Sequence, residues 1–497
     1  MSDGLETPPG NPADEAAMDA GGLARWLKAP NEVAATGEGR AASPLGQFSW
    51  AMFEWARNPY ILVVWIYVFS PYFVNQVVGD PVRGQGIAGA IQAWSGIGIA
   101  ILAPFLGAIA DNGGRRKPWI ALYVIILLVA MVPMWFSMPH ADARGIFITG
   151  ALIAAANIAF EFSAVFHNSL LPTITTQRGV AGLSGLGLSL GNLAGIIVLL
   201  FVLIFLSLPG KAPWGFIPAH PLFGLSHADF GPERLSGPLC AVWLAVFCLP
   251  LFFFTPDRPA SALSLSQAMV AGVKGVIATI KSLEHYQNVG WYLLARLFFN
   301  DGMTAVLVFG GIYASTTFHW DTVRLLIYGV ELSIFAVFGG FFGGWIDNKF
   351  GSKRAIFISV GGTTIFGLLS LSMGPDRIFW FFPYVVHAAP VWPFPYFNTW
   401  PEIIFLVVVN FIAVLITAGY ANARTMLARI APPEKMAEFF GLFSLSGQST
   451  SFLATGFIGW LTLYAHNQRI GLLGETLFLS IGLALMFKVR EVRATAA

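Results

Sequence analysis

The sequence predicts an all-α membrane protein with twelve transmembrane helices in two pseudo-symmetric six-helix bundles. Three observations carry that expectation. The chain of 497 residues is 56% hydrophobic and only 11% charged, against the roughly 25% charged residues of a soluble domain, and its mean hydropathy is +0.69. Its apolar runs fall into two groups of six around a polar stretch. A charged loop sequence also occurs twice, at a constant offset of 236 residues.

The elements follow in order. Residues 1–43 are rich in Gly, Pro, Ala and acids and read as a disordered cytoplasmic tail. They lack a basic stretch followed by an apolar core, so they are not a secretory signal. Trp26 and Leu27, between Arg25 and Lys28, read as part of that tail. Apolar runs near 47–74, 86–110, 118–138, 144–169, 181–208 and 237–255 form the first six spans. Runs near 289–314, 325–346, 354–373, 401–424, 438–464 and 470–488 form the second six. Each is close to the ~20 residues that a bilayer requires. The expected organisation is a bundle over 44–256, a cytoplasmic linker over 257–288 and a second bundle over 289–490.

The linker carries Lys274, Lys281 and Glu284 on an apolar background. It is either an amphipathic helix on the inner face or a simple tether. Two outer loops are unusual. Residues 207–236 are Pro- and Gly-rich, with Trp214 and His220, and residues 374–400 hold Trp380, Trp392 and Trp400 among prolines. Aromatic residues belong at membrane interfaces, which makes a belt the first reading and a lid the second. Gly187, Gly191 and Gly195, four apart, let helix backbones pack closely. Cys240 and Cys248 share one apolar run, imply no disulfide framework and read as small lipid- or core-facing residues. A net charge of +2 does not suggest nucleic acid.

The repeated loop reads GAIADNGGRRK from Gly107 to Lys117 and GGWIDNKFGSKR from Gly343 to Arg354. A Gly pair beside charge stops an apolar helix, and repeated units are how many secondary transporters are built. The loop resembles the signature of the major facilitator superfamily, Gly-x-x-x-Asp-x-x-Gly-Arg-Arg or Lys, between the second and third helices of each half. The first copy fits throughout. In the second, Gly351 lies four residues after Asp347 where the pattern has three. The resemblance implies gating roles for Asp111, Arg115, Arg116, Asp347, Lys353 and Arg354, with Asp111 and Arg115 as a gate pair.

Polar residues inside apolar spans each need a partner or a wet cavity, because a charge at the bilayer centre costs roughly 2.5–3.5 kcal/mol on insertion scales. The first span holds Glu54, Arg57 and Asn58, with Glu54 and Arg57 three apart on one face. The fourth holds Asn157 and Glu161, then His167 and Asn168 near its end; the seventh holds Arg296, Asn300 and Asp301; the eighth holds Glu331. Asn410, Asn422 and Arg424 lie in the tenth and Gln448 in the eleventh. Substrate and coupling-ion sites of repeated transporters sit near the midplane between repeats. Glu54, Arg57, Asn58, Asn157, Glu161, Arg296, Asn300, Asp301 and Glu331 are therefore the candidates. His167 reads as a gate or structural residue.

The runs FEWARNPY (53–60), VFHNSLLP (165–172), RLFFNDG (296–302) with GGIYA (310–314), and AEFFGLFSLSGQ (437–448) resemble the vacuole-effluxer branch of that superfamily. Its founding members export amino acids from fungal vacuoles. Glu54 stands where that branch usually has Asp, and Arg57 where it has Asn. The resemblance implies a secondary transporter that moves a small polar solute, an amino acid or other carboxylate, by alternating access and with a proton or other coupling ion. A monomer without cofactor or metal is expected. No Gly-x-x-x-x-Gly-Lys-Ser/Thr run cradles a nucleotide. No His-Glu-x-x-His or Gly-x-Ser-x-Gly points to an enzyme. A transport-incompetent receptor on this scaffold would not need the central charges.

Eighteen Lys and Arg fall on the side of the Arg115–Lys117 loop and both termini, and seven on the other. Cytoplasmic loops are the basic ones, so both termini are expected in the cytoplasm of an inner-membrane protein. A cysteine introduced beside Lys211 should label from outside intact cells and one beside Arg116 should not. The reverse result would invert the topology.

Overall fold

The computed structural model describes residues 28, 30–37, 39–210, 215–259, 261–281, 286–320, 322–385, 390–392, 396–448 and 451–491. Most of the described residues are helical. The first half comprises α1 (Pro44–Arg57), α2 (Pro81–Gly113), α3 (Lys117–Met131), α4 (Ala143–Ile174), α5 (Gly179–Val202) and α6 (Gly231–Phe247). Helix α7 (Leu265–Lys281) follows. The second half comprises α8 (Gln287–Phe318), α9 (Thr322–Phe350), α10 (Ser352–Leu371), α11 (Trp400–Ile430), α12 (Met436–Gln448), α13 (Ser451–Ala465) and α14 (Gln468–Met486). Eleven helices among the described residues are long and apolar enough to cross a membrane. The run expected at 438–464 carries α12 and α13, and residues 449–450 between them lie outside the described residues.

Local chemistry starts the helices where they start. Ser43 caps α1 by accepting from the Gly46 amide at 3.2 Å, and Asp142 caps α4 by accepting from Gly145 at 2.7 Å. Thr399 and Glu402 form a reciprocal capping box on α11. After Arg57 the first span leaves regular α geometry. It continues as π-helix over Tyr60–Tyr67, a short α turn over Phe69–Tyr72 and π-helix again over Phe73–Val77.

The two halves meet along two seams at which glycines remove the side chains. On the first, α5 faces α9: a Cβ on Gly340 would meet the Gly185 carbonyl oxygen at 2.7 Å and the Ser189 nitrogen at 2.9 Å, and one on Gly344 would meet the Ala181 carbonyl oxygen at 3.1 Å. On the second, α2 faces α12: a Cβ on Gly107 would strike the Ala437 carbonyl, and one on Gly441 the Ala103 carbonyl. Gly187, Gly191 and Gly195 receive Trp50, Asn58 and Leu62 of the first span. That is the packing role their spacing implied. Both cysteines are buried and free.

One expectation changes, and two loosely read regions take definite form. The tail was expected to be disordered through residue 43, but Val33 and Arg40 form an antiparallel bridge. Ala35 and Ala42 donate backbone hydrogen bonds to Thr175 at 2.7 Å and Ile174 at 2.8 Å. Backbone pairing with the end of α4 orders this stretch, which side-chain composition does not reveal; Trp26 and Leu27 lie outside the described residues. The linker is helical rather than a tether, and Gly272 packs it on Ala108 and Ile109 of α2; Glu284 lies outside the described residues. The loop at 374–400 contains a two-stranded hairpin, Arg377–Ile378 with Phe382–Pro383. Of the loop at 207–236, Trp214 lies outside the described residues.

Gly340→Leu should lower the melting temperature of the purified protein, since overpacking costs about 1–3 kcal/mol. Gly98→Leu, where a Cβ meets nothing within 4 Å, should leave it unchanged. Equal melting of both variants would mean that the α5–α9 seam is not closed in solution.

Candidate functional site

Glu54 lies one helical turn before Arg57 on α1, and both are buried. The Arg57 Nη2 lies 2.9 Å from Glu54 Oε2, and its Nε donates to the same oxygen at 3.0 Å. The Arg57 guanidinium also lies over the Phe160 ring, 4.3 Å from its centroid. The other carboxylate oxygen, Oε1, is held at 2.9 Å by Nη1 of Arg424 on α11, in the opposite half. Arg424 further donates to the Ser184 hydroxyl at 2.8 Å, the Asn168 carbonyl oxygen at 3.1 Å and the Ser184 backbone carbonyl. One carboxylate is thus shared by two arginines, one from each half, at 2% exposure.

His167 completes the cluster. Its Nε2 lies 2.8 Å from the Trp50 carbonyl, and the Trp50 indole donates back to the His167 carbonyl at 2.8 Å. The two rings stack with centroids 4.3 Å apart. A carbonyl only accepts, so Nε2 carries the hydrogen and Nδ1 of a neutral ring presents its lone pair. Nδ1 lies 3.7 Å from Glu54 Oε1.

A second cluster is built on α8. Arg296 donates to the Ser446 hydroxyl at 2.6 Å, to the Phe443 carbonyl and to Asn300 Oδ1 at 3.4 Å, and its guanidinium lies over the Phe443 ring. Asn300 donates to the Gly447 carbonyl at 3.0 Å. The charges of Asp301, on the same helix, and of Glu161, on α4 of the other half, both act on Arg296. Asn157, one turn before Glu161, is buried. Asn58 packs on Gly191 of α5. Glu331 stands apart from both clusters and accepts from Asn410 at 2.7 Å within its own half.

The repeated loops lie at the end of the molecule where α1 begins. Asp111 does not pair with Arg115, as the sequence suggested. Its Oδ1 takes Arg116 Nη2 at 2.7 Å, and Arg115 is exposed. The turn at Gly114, with φ +81°, sends the first arginine outward and the second back under the helix end. Arg116 is fully buried, and desolvation lowers its pKa while Asp111 opposes the shift. Asp111 Oδ2 accepts the Glu438 amide of α12 at 2.8 Å, across the two halves. Asp347 likewise does not use Lys353 or Arg354. Ser352, at the position of Arg116, donates to it at 2.8 Å, and Arg429 of α11 supplies the cation at 2.7 Å. Lys353 reaches the Val489 carbonyl at 2.7 Å, and Arg354 is exposed.

Sequence reasoning left several residues out of the site. Arg424 was visible as a charge within a span, but its partner Glu54 lies 370 residues away. The acids that cap the loop helices were also missed. Asp257 accepts the Arg116 and Lys117 amides at 2.9 and 3.0 Å, and Glu491 accepts those of Ser352 and Lys353 at 2.6 and 3.3 Å. Glu475, buried in α14 beside Gly367 of α10, had a plain signal: a lone acid in an apolar run.

The two adjacent arginines give a clean test. Arg116→Ala leaves Asp111 buried without its cation, a loss of about 3–5 kcal/mol, and should sharply lower thermal stability and yield. Arg115→Ala should melt as wild type. Similar losses from both would contradict the pairing.

Over residues 77–497 the sequence matches the family described as vacuole effluxer Atg22 like. It is 20% identical over 459 residues to the uncharacterized MFS-type transporter YxiO of Bacillus subtilis, across 90% of this chain and 95% of that one. It is 22% identical over 370 residues to autophagy-related protein 22 of Yarrowia lipolytica, across 69% of this chain and 57% of that one. Among solved structures, the fold is similar to the proton:xylose symporter XylE (TM-score 0.64, 12% identity, 90% and 96% coverage). It is also similar to a bacterial homologue of the iron transporter ferroportin (TM-score 0.59, 10% identity, 90% and 98% coverage). The chain is a multi-pass membrane transporter of the major facilitator superfamily and belongs to its Atg22-like vacuole effluxer family.

Proposed function

We propose that the chain is a secondary active transporter that carries a small carboxylate-bearing solute, of the amino-acid class, across the inner membrane by proton-coupled alternating access. It works as a monomer with both termini cytoplasmic, on a scaffold of twelve spans in two bundles divided at the linker. The observation that carries this reading is Glu54, shared between Arg57 of its own helix and Arg424 of the other half. An ion pair that spans two moving bodies must break once per cycle. Protonation of Glu54 removes the charge that holds both guanidiniums, and His167 Nδ1, 3.7 Å away, is placed to take or return the proton. The released arginines can then hold a solute carboxylate by charge-assisted, bidentate hydrogen bonds.

The distribution of charge supports a zwitterion. Around Glu54 one acid faces two arginines; around Arg296 two acids, Glu161 and Asp301, act on one arginine. A solute with its carboxylate toward Arg57 and Arg424 and its ammonium toward Glu161 and Asp301 matches that polarity. Asn58, Asn157 and Asn300 supply neutral hydrogen bonds. Asp111 with Arg116 and Glu438, and Asp347 with Arg429, form the inner gate. The family description as an effluxer supports export.

The test uses proteoliposomes with an imposed pH gradient and labelled amino acids. Glu54→Gln should still exchange solute but fail to concentrate it. Accumulation at the wild-type level across a range of pH would remove the proton role from Glu54. Failure of the wild type to move any amino acid would overturn the solute class.

A further inference from the structure

At the end opposite the repeated loops lies a cavity of about 440 Å³, lined mainly by the first half, within the 300–1,000 Å³ of typical small-molecule sites. It shares no lining residue with the Glu54 or Arg296 clusters. Two departures from α geometry build it. The first span contributes Tyr67, Tyr72, Asn75 and Gln76 from its π-helical and broken stretch. The fifth contributes Leu203 and Ser207 from the π-helical segment Leu203–Ser207 that follows α5. Such π segments are rare and frequent at functional sites. A third feature closes the wall. Phe230, the residue before α6, is held at φ +53° and ψ +37°, a left-handed conformation that is strained for a bulky residue. It brings the Phe230 ring to 5.5 Å from that of Tyr72.

The polar chemistry of this wall is one-sided. Among the described residues, no Lys, Arg or His lines it. Its one acid is Glu233, whose Oε2 is buried without a hydrogen-bond partner among the described residues. Among the described residues, the neighbouring Arg234 forms no ion pair with it. Arg234 Nε donates to the Trp135 carbonyl at 2.8 Å, and its guanidinium lies over the Trp135 ring, 4.7 Å from its centroid. A carboxylate oxygen withdrawn from water without a partner is costly, and a cation entering the cavity removes that cost. Aromatic rings around the same space attract cations through their faces. The Tyr72 hydroxyl is already committed to the Ser137 carbonyl at 2.7 Å, so this residue offers the cavity its ring.

We propose that this cavity is a binding site for a monovalent organic cation with an apolar or aromatic body, seated with its charge at Glu233. Val330 of α9 closes the wall from the other half, so the ligand touches both halves. The test is calorimetry on the full-length purified protein in detergent, with benzyltrimethylammonium as probe and benzenesulfonate as the anion of similar size. The cation should bind and the anion should not. Glu233→Gln should weaken cation binding at least tenfold. Val330→Trp, which fills the cavity from a different helix and leaves the carboxylate in place, should abolish it, so the test survives if one variant fails to fold. No cation binding to the wild type, equal heats for both ions, or undiminished binding by folded Glu233→Gln or folded Val330→Trp protein would each overturn the proposal.

Discussion

The carboxylate of Glu54 is the constraint on which the meeting of the two halves depends. A lone charge at this depth costs several kcal/mol, and here one negative charge is set against two guanidiniums. Satisfying all three groups fixes where α1, α4, α5 and α11 stand relative to each other. Arg57 lies on Phe160 of α4, while Arg424 is held by Asn168 of α4 and Ser184 of α5. The shortage of negative charge is then not an error of design. It leaves a positive surplus that the bundle tolerates only because the second guanidinium is covered by hydroxyl and carbonyl oxygens.

That arrangement requires the helices to approach closely, and the glycines allow it. Gly187 lies within van der Waals distance of Trp50, Glu54 and Arg424 at once, since its absent Cβ would sit 3.3, 3.4 and 3.6 Å from them. A larger residue there would push α5 off α1 and part Arg424 from Glu54. Within lipid there is no hydrophobic gain from helix association, so close backbone approach and buried polar contacts carry it. The glycine seams and the ion cluster are therefore one device: the first brings the backbones near enough for the second to form.

Much of the fold was legible because its signals are local. An apolar run of bilayer length is a property of consecutive residues, and eleven of the expected spans fall on qualifying helices. The Glu54–Arg57 contact was legible for the same reason, at a spacing of three. What was not legible depends on partners distant in sequence or on side-chain direction. Arg424 meets Glu54 from 370 residues away. Arg115 and Arg116 are adjacent and chemically identical, and only the backbone turn at Gly114 decides which is buried. Residues 30–37 and 39–43 look disordered by composition, yet backbone hydrogen bonds, which any sequence can make, hold this stretch.

The two loop copies also show how a repeat can be kept in form and divided in role. Each Asp accepts from the residue five positions on, Arg116 in one and Ser352 in the other, and each following helix is capped by an acid that lies beyond the last span of its own half. Among the described residues, only the first Asp accepts a backbone amide from the opposite half. The second gets its cation from Arg429, within its own half. The replacement of Arg116 by Ser352 explains this: a serine can share a hydrogen bond but cannot neutralise a buried carboxylate, so α11 has to supply the charge. Asp347 is thereby tied to the helix that also carries Arg424. The first loop is positioned to feel contact between the halves directly, and the second to feel it through α11 and the pairing at Glu54.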